Sequence, residues 1–152
     1  MSGEKITFFG AAQTVTGSRH LIEYDGQRIL IDCGLFQGSR ELKAMNWDKI
    51  PFDPASLDLV IVTHAHTDHI GMLPRLTKMG YKGPILCTHG THGISKISLP
   101  DSGRLQEEDA RFHNKHRTSS HFPAEPLYTE QDAYACLKQF RAHKYRELVA
   151  LP

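Results

Sequence analysis

The segment that most constrains this chain is Leu57-Asp58-Leu59-Val60-Ile61-Val62-Thr63, a β-branched apolar run that stops abruptly in a polar, histidine-rich turn. Apolar residues 70, 73, 76 and 79 then recur at helical spacing, Gly80 fits the stop, and Pro74 sits in the first turns, where proline is tolerated. Pro84-Ile85-Leu86-Cys87 reads as a further short strand. Strand, turn, helix, strand is a βαβ unit, so the expected class is mixed α/β and an all-β fold is excluded.

The flanking segments extend this plan. Residues 5–9 form a short strand ended by Gly10. After a polar loop from Ala11 to Ser18, residues 19–24 and 28–32 pair across an Asp25-Gly26 turn. Ile29-Leu30-Ile31 is continuous rather than alternating, as suits a strand buried on both faces. A short helix is expected over 39–45. A second, running on from His89, should be interrupted at Pro100 and use Ile94, Ile97 and Leu105 as its apolar face. The polar stretch from His113 to His121 has the pattern of a loop. Thr129-Glu130-Gln131-Asp132 has capping-box spacing ahead of Ala133, Tyr134, Leu137, Phe140, Tyr145 and Leu148, an amphipathic helix that would put His143 on its solvated side with Arg141, Lys144 and Arg146.

Composition narrows the class. The 152 residues are one ordinary domain by length, and a formal charge of +1 argues against a basic nucleic-acid arm or an acidic disordered chain. No run of eighteen apolar residues occurs and residues 1–5 lack a secretory signal's apolar stretch, so a cytoplasmic protein with no membrane contact is expected. Cys33, Cys87 and Cys136 form no Cys-x-x-Cys pair and are expected to be buried or incidental thiols. Arg111, Lys115, His116 and Arg117 make a modest basic cluster, read as solvated.

Chemistry concentrates in Thr63-His64-Ala65-His66-Thr67-Asp68-His69, where four potential metal ligands fall within six residues, between a buried strand and a helix start. Alternate side chains share a face in extended backbone, so His64 and His66 can meet one metal, while Asp68 and His69 lie past the bend for a second. Imidazole and carboxylate donors suit zinc, and two such ions support hydrolysis.

Residues 64 to 69, His-x-His-x-Asp-His after a buried strand, resemble the signature of the metallo-β-lactamase superfamily, and Asp32 at the end of Ile29-Leu30-Ile31 matches that superfamily's first motif. Gly10 to Ser18, Asp32 to Gly38, Leu99 to Ser102, Gln106 to Ala110 and Leu127 to Glu130 are similar to the N-terminal part of bacterial β-CASP proteins, RNA-processing relatives of the eukaryotic pre-mRNA 3′-end endonuclease. The resemblance implies an αββα sandwich, of which this chain supplies the N-terminal portion, a mixed sheet with flanking helices. It implies up to two zinc ions held by His64 and His66 and by Asp68 and His69, with Asp68 also orienting the attacking hydroxide and Asp32 supporting the ligands from behind. The implied activity is phosphodiester hydrolysis on RNA.

The family pattern continues beyond the helix at Thr129 with a strand, a third ligand histidine, a metal-bridging aspartate and a separate β-CASP domain. None of these is expected within residues 1–152. With two ligands per metal, weak or single occupancy and poor cleavage are expected. Apolar area from Ile29 to Ile31 and from Leu59 to Val62 should lie open on one side, inviting a second copy or a partner. A thioester or lactam hydrolase, and a non-catalytic metal-binding chain acting through assembly, are the alternatives. His20, His89, His92, His113, His116, His121 and His143 are read as surface or loop residues. Gly10, Gly17 and Ser18 are read either as lining the site's entrance or as a tight turn.

Overall fold

A computed structural model of the chain describes residues 3–119 and 122–151. Six strands, β1 Lys5–Gly10, β2 Arg19–Tyr24, β3 Gln27–Ile31, β4 Leu59–Ile61, β5 Ile85–Thr88 and β6 Phe140–His143, lie side by side in chain order in one sheet. The first three are antiparallel and the rest run parallel, so the sheet is mixed, as expected. Asp25 (φ 46°) and Gly26 (φ 78°) take the left-handed backbone that a two-residue hairpin turn requires.

Register sorts the side chains. Leu21, Leu30, Val60, Ile85 and Phe140 are successive cross-strand partners on one face. They pack with Leu73 and Leu76 of α3 (Leu73–Lys78), Leu99 of α4 (His89–His116) and Ala133 and Cys136 of α5 (Glu130–Leu137) in a single core. The other face carries Ile6, Ile22, Ile29 and Leu59 in one row and Phe8, His20, Ile31, Ile61 and Leu86 in the next. Ile29 and Leu59 are buried there and Ile31 and Ile61 half-buried, which corrects the expectation of open apolar area over 29–31 and 59–62. The exposed residues are instead Ile6 and Phe8 at the sheet edge, 57% and 61% accessible.

Four elements differ from the sequence pattern. The helix expected over 70–79 begins earlier and is split into α2 (Thr67–Ile70) and α3, with Pro74 in the first turn of the second piece. Helix α4 continues through Pro100 to His116, so His113 and His116 are helical rather than loop, and His121 lies outside the described residues. Ile94, Ile97 and Leu105 are exposed; the buried stripe is Thr91, Ser95, Leu99, Gly103 and Ala110. Small residues let α4 approach its neighbours closely: a Cβ on Gly103 would come within 2.7 Å of the Thr129 carbonyl. Side chains of α4 then hold the segment before α5, Asn114 bonding both backbone groups of Ala124 and Glu107 accepting the Glu130 N–H.

The helix expected to reach Leu148 ends at Leu137, although the capping box at Thr129 and Asp132 forms as read. Phe140 through His143 instead extends the sheet beside β5, because Phe140 buries its ring opposite Ile85. His143 is therefore a strand residue, near Glu147 at 3.6 Å, and Tyr145 and Leu148 are exposed. Helix α1, Arg40–Ala44, is capped by Ser39 within the expected span.

Candidate metal centre

Parallel strands β3 and β4 end together, and the crevice beyond such carboxyl ends is where open α/β sheets build sites. Asp32 follows β3 and Thr63 to His66 follow β4, with His66 at the N-cap position of α2 and Asp68 and His69 inside it. Asp68 is thus not the cap of its helix.

The donors fall into two adjacent pairs. His64 Nε2 is 3.1 Å from His66 Nδ1, and Asp68 Oδ2 is 3.5 Å from His69 Nε2. The His64 and His69 rings lie 3.9 Å apart between centroids, which sets the pairs side by side. Two donors each ~2.1 Å from a tetrahedral ion stand ~3.4 Å apart, so both separations match one edge of a coordination shell. Among the described residues no group of three or more His, Cys, Asp or Glu side chains is arranged to hold one ion. The side chains fit a divalent metal as two pairs of donors.

Behind the pairs sits Asp32, nearly inaccessible and at φ 60°, a left-handed backbone that aspartate tolerates better than most residues. Its Oδ1 accepts the Thr63 N–H at 2.8 Å, and its Oδ2 meets His69 Nδ1 at 2.7 Å and the Thr63 hydroxyl at 2.9 Å. An ionised carboxylate only accepts, so the hydrogen between them sits on His69 Nδ1, and Nε2 is the nitrogen turned towards Asp68.

A backbone strap fixes the loop. Ser18 N–H donates to the Asp68 carbonyl, Cys33 N–H to His69 and Leu35 N–H to Thr67, at 2.9, 2.8 and 3.1 Å. Gly34 lies so close that a Cβ there would sit 1.5 Å from the Asp68 carbonyl oxygen. Arg19 is buried with its guanidinium donating to the Gly34 carbonyl and resting over the Phe36 ring, while Asn46 bonds both the N–H and the carbonyl of Phe36. Gly10 and Gly17 close a tight turn against each other and Phe36, and the buried Ser18 hydroxyl reaches Asp32 at 3.4 Å and His20 Nε2 at 3.3 Å. Gly34, Arg19 and Thr63 are the site residues that motif spacing did not single out. A glycine two positions after the strand-end aspartate was the one available signal.

The cysteines stand apart from this chemistry. All three are free and buried; desolvation pushes the thiols of Cys33 and Cys87 up to about 11 and that of Cys136 up to about 12. Among the described residues no other histidine joins the pairs. His92 stacks on Phe140, its pKa held below the ordinary imidazole value by burial and then by Lys96 and His89, and His113 bonds the Thr118 hydroxyl.

Residues 16–121 match the family model described as the metallo-β-lactamase superfamily. Ribonuclease TTHA0252 of Thermus thermophilus is 46% identical over 97% of this chain and 30% of its own length. Transcription termination factor FttA of Methanocaldococcus jannaschii is 31% identical over 88% of this chain and 19% of its own, and endoribonuclease YSH1 of Gibberella zeae is 31% identical over 90% and 15%. This chain therefore spans less than a third of each of these relatives. Among solved structures, the subclass B3 metallo-β-lactamase MEM-A1 from a soil metagenome library overlays with a TM-score of 0.48 at 20% identity, covering 90% of this chain and 43% of that one. By the family match, and by a histidine-aspartate cluster at the ends of parallel strands, this chain belongs to the metallo-β-lactamase superfamily.

Proposed function

We propose that the chain carries the zinc-binding part of a β-CASP-type ribonuclease site, with His64 and His66 holding one ion and Asp68 and His69 a second. One observation carries this reading: two donor pairs, 3.1 and 3.5 Å apart, lie side by side with a buried carboxylate behind them. A zinc ion so held would act as a Lewis acid on a phosphodiester and lower the pKa of a water. Asp32 keeps the His69 ring oriented, and Asp68 accepts a hydrogen bond from the attacking water to aim it. RNA as the substrate is supported by the relatives named ribonuclease and endoribonuclease. Three free buried thiols suit a reducing cytoplasm, and no helix among the described residues is long and apolar enough to cross a membrane.

We read residues 1–152 as an incomplete catalytic domain, in which each pair has two donors where a catalytic zinc takes three. The same observation favours, as a second reading, a chain that binds metal without catalysis and works through assembly. The exposed Ile6 and Phe8 are the place for a second copy or further sequence. Zinc titration of the chelator-treated chain, followed by incubation with an RNA oligonucleotide, tests both readings. Weak zinc binding that is lost in the double variant H64A/H66A, with RNA cleavage slow and abolished in Asp68→Asn, supports the ribonuclease. Binding with no cleavage at saturating zinc favours the assembly reading. Hydrolysis of a lactam or thioester but not RNA replaces the substrate, and no zinc binding overturns the site.

A further inference from the structure

We infer that Thr63 is a positioning residue that relays the charge of Asp32 to His64, holding that imidazole as the Nδ1–H tautomer with Nε2 bare. The inference deepens the proposed metal site and rests on it. Its basis is hydrogen-bond polarity. Asp32 Oδ2 lies 2.9 Å from the Thr63 hydroxyl, and the same hydroxyl lies 2.9 Å from His64 Nδ1. A carboxylate has no hydrogen to give, so the single hydrogen of the hydroxyl goes to Asp32. Thr63 Oγ1 then meets His64 Nδ1 with lone pairs only, and the ring nitrogen must donate.

The reverse assignment fails on the same distances. Were the hydroxyl to donate to His64, two oxygens bearing only lone pairs would face each other at 2.9 Å, one of them on a carboxylate whose side chain is 2% exposed. A neutral imidazole carries one hydrogen, so a donor at Nδ1 leaves Nε2 bare. Nε2 is the nitrogen that faces His66, 3.1 Å away, and a bare nitrogen is the one a metal binds. Asp32 thereby sets two rings at once, His69 by direct contact at 2.7 Å and His64 through one hydroxyl. The Thr63 side chain suits the relay because its β-branch restricts χ1 and keeps the hydroxyl between its two partners. Its backbone N–H is separately tied to Asp32 Oδ1 at 2.8 Å, an anchor that no side-chain substitution removes.

The test is the ring ¹⁵N–¹H spectrum of the chelator-treated 152-residue chain at about pH 8, above the ordinary imidazole range. Wild type and Thr63→Ser are expected to show the His64 hydrogen on Nδ1, and Thr63→Val to move it to Nε2, while His69 keeps Nδ1–H in all three. Zinc affinity should fall about tenfold in Thr63→Val, the lower end for loss of a ligand's outer hydrogen bond, and be largely kept in Thr63→Ser. His64 protonated on Nε2 in wild type, or unchanged on Nδ1 in Thr63→Val, overturns the relay. Should Thr63→Val fail to fold, as judged by circular dichroism, wild type and Thr63→Ser decide, since Nε2–H in either ends the proposal. Absence of zinc binding by wild type overturns the underlying metal site instead, and leaves the tautomers measurable in the same sample.

Discussion

Replacing Gly34 by alanine isolates the contribution of the backbone strap. Gly34 is not in the left-handed region, so alanine meets no dihedral penalty and the whole effect comes from contact. The added Cβ would lie 1.5 Å from the Asp68 carbonyl oxygen and 1.9 Å from its carbon, where ordinary contact begins near 3.4 Å, so the two segments must part by about 2 Å. Backbone on both sides leaves no flexible side chain to yield. The separation breaks or stretches three hydrogen bonds, from Ser18 to Asp68, Cys33 to His69 and Leu35 to Thr67. At about 0.5–1.5 kcal/mol net for each, the expected loss is about 2–4 kcal/mol, a large fraction of the total stability of a small domain. Urea unfolding followed by far-ultraviolet circular dichroism reads it as a lower midpoint at unchanged slope. Because Asp68 and His69 ride on the displaced backbone, zinc affinity should fall at least about tenfold, as for lost outer-shell support. A stability change below about 0.5 kcal/mol, the scale of an unconstrained surface site, together with unaltered zinc binding would refute the strap.

Two further outcomes follow from the same structure. Gly93 is exposed within α4 and a Cβ there meets nothing within 4 Å, so Gly93→Ala should stabilise the chain by about 0.5–1 kcal/mol in the same urea assay, with zinc binding unaffected. With thiols raised to about 11 and about 12, at most about one in a thousand is ionised at pH 8, so a thiol reagent should modify none of the cysteines rapidly in the native chain and all three in urea; a fast-reacting native thiol would contradict their burial.

Strand–turn–helix–strand was legible from 57–87 because period and punctuation agreed there, and the Asp25-Gly26 hairpin because few residues other than glycine, asparagine and aspartate accept its backbone. The sequence pattern misled where packing is done by small residues. Thr91, Ser95, Gly103 and Ala110 carry little hydropathy, so the pattern points to the large side chains at Ile94, Ile97 and Leu105 as the buried stripe although they face solvent. Pro100 does not stop α4, since the helix packs against α5, β5 and β6 and its side chains, such as Asn114 and Glu107, bond the 124–130 segment. The end of α5 turned on tertiary context as well: Phe140 continues a helical period from Ala133 and Leu137, yet gains more by filling the place opposite Ile85. At the candidate site, residue types and spacing picked out His64, His66, Asp68, His69 and Asp32, which the fold brings together, whereas Arg19, Gly34 and Thr63 act through contacts between segments far apart in the chain, which no local pattern records.

Those long-range contacts bear on the metal affinity to be expected of the proposed donor pairs. Gathering four donors from a free loop would cost about 1–2 kcal/mol per ordered residue, charged against the binding of the ion. Here the backbone of residues 67 to 69 is already tied to Ser18, Cys33 and Leu35, and the His69 ring is already turned by Asp32. The ordering cost has been met by folding of the sheet, whose core of Leu30, Val60, Ile85 and Phe140 lies at the root of the same strands. Two donors on a fixed frame therefore retain more affinity than the same two on a flexible peptide, by the part of the entropy that the strap has removed. The frame that would aim these side chains lies within the described residues, tying the 67–69 backbone and the His69 ring to β3 and its neighbours.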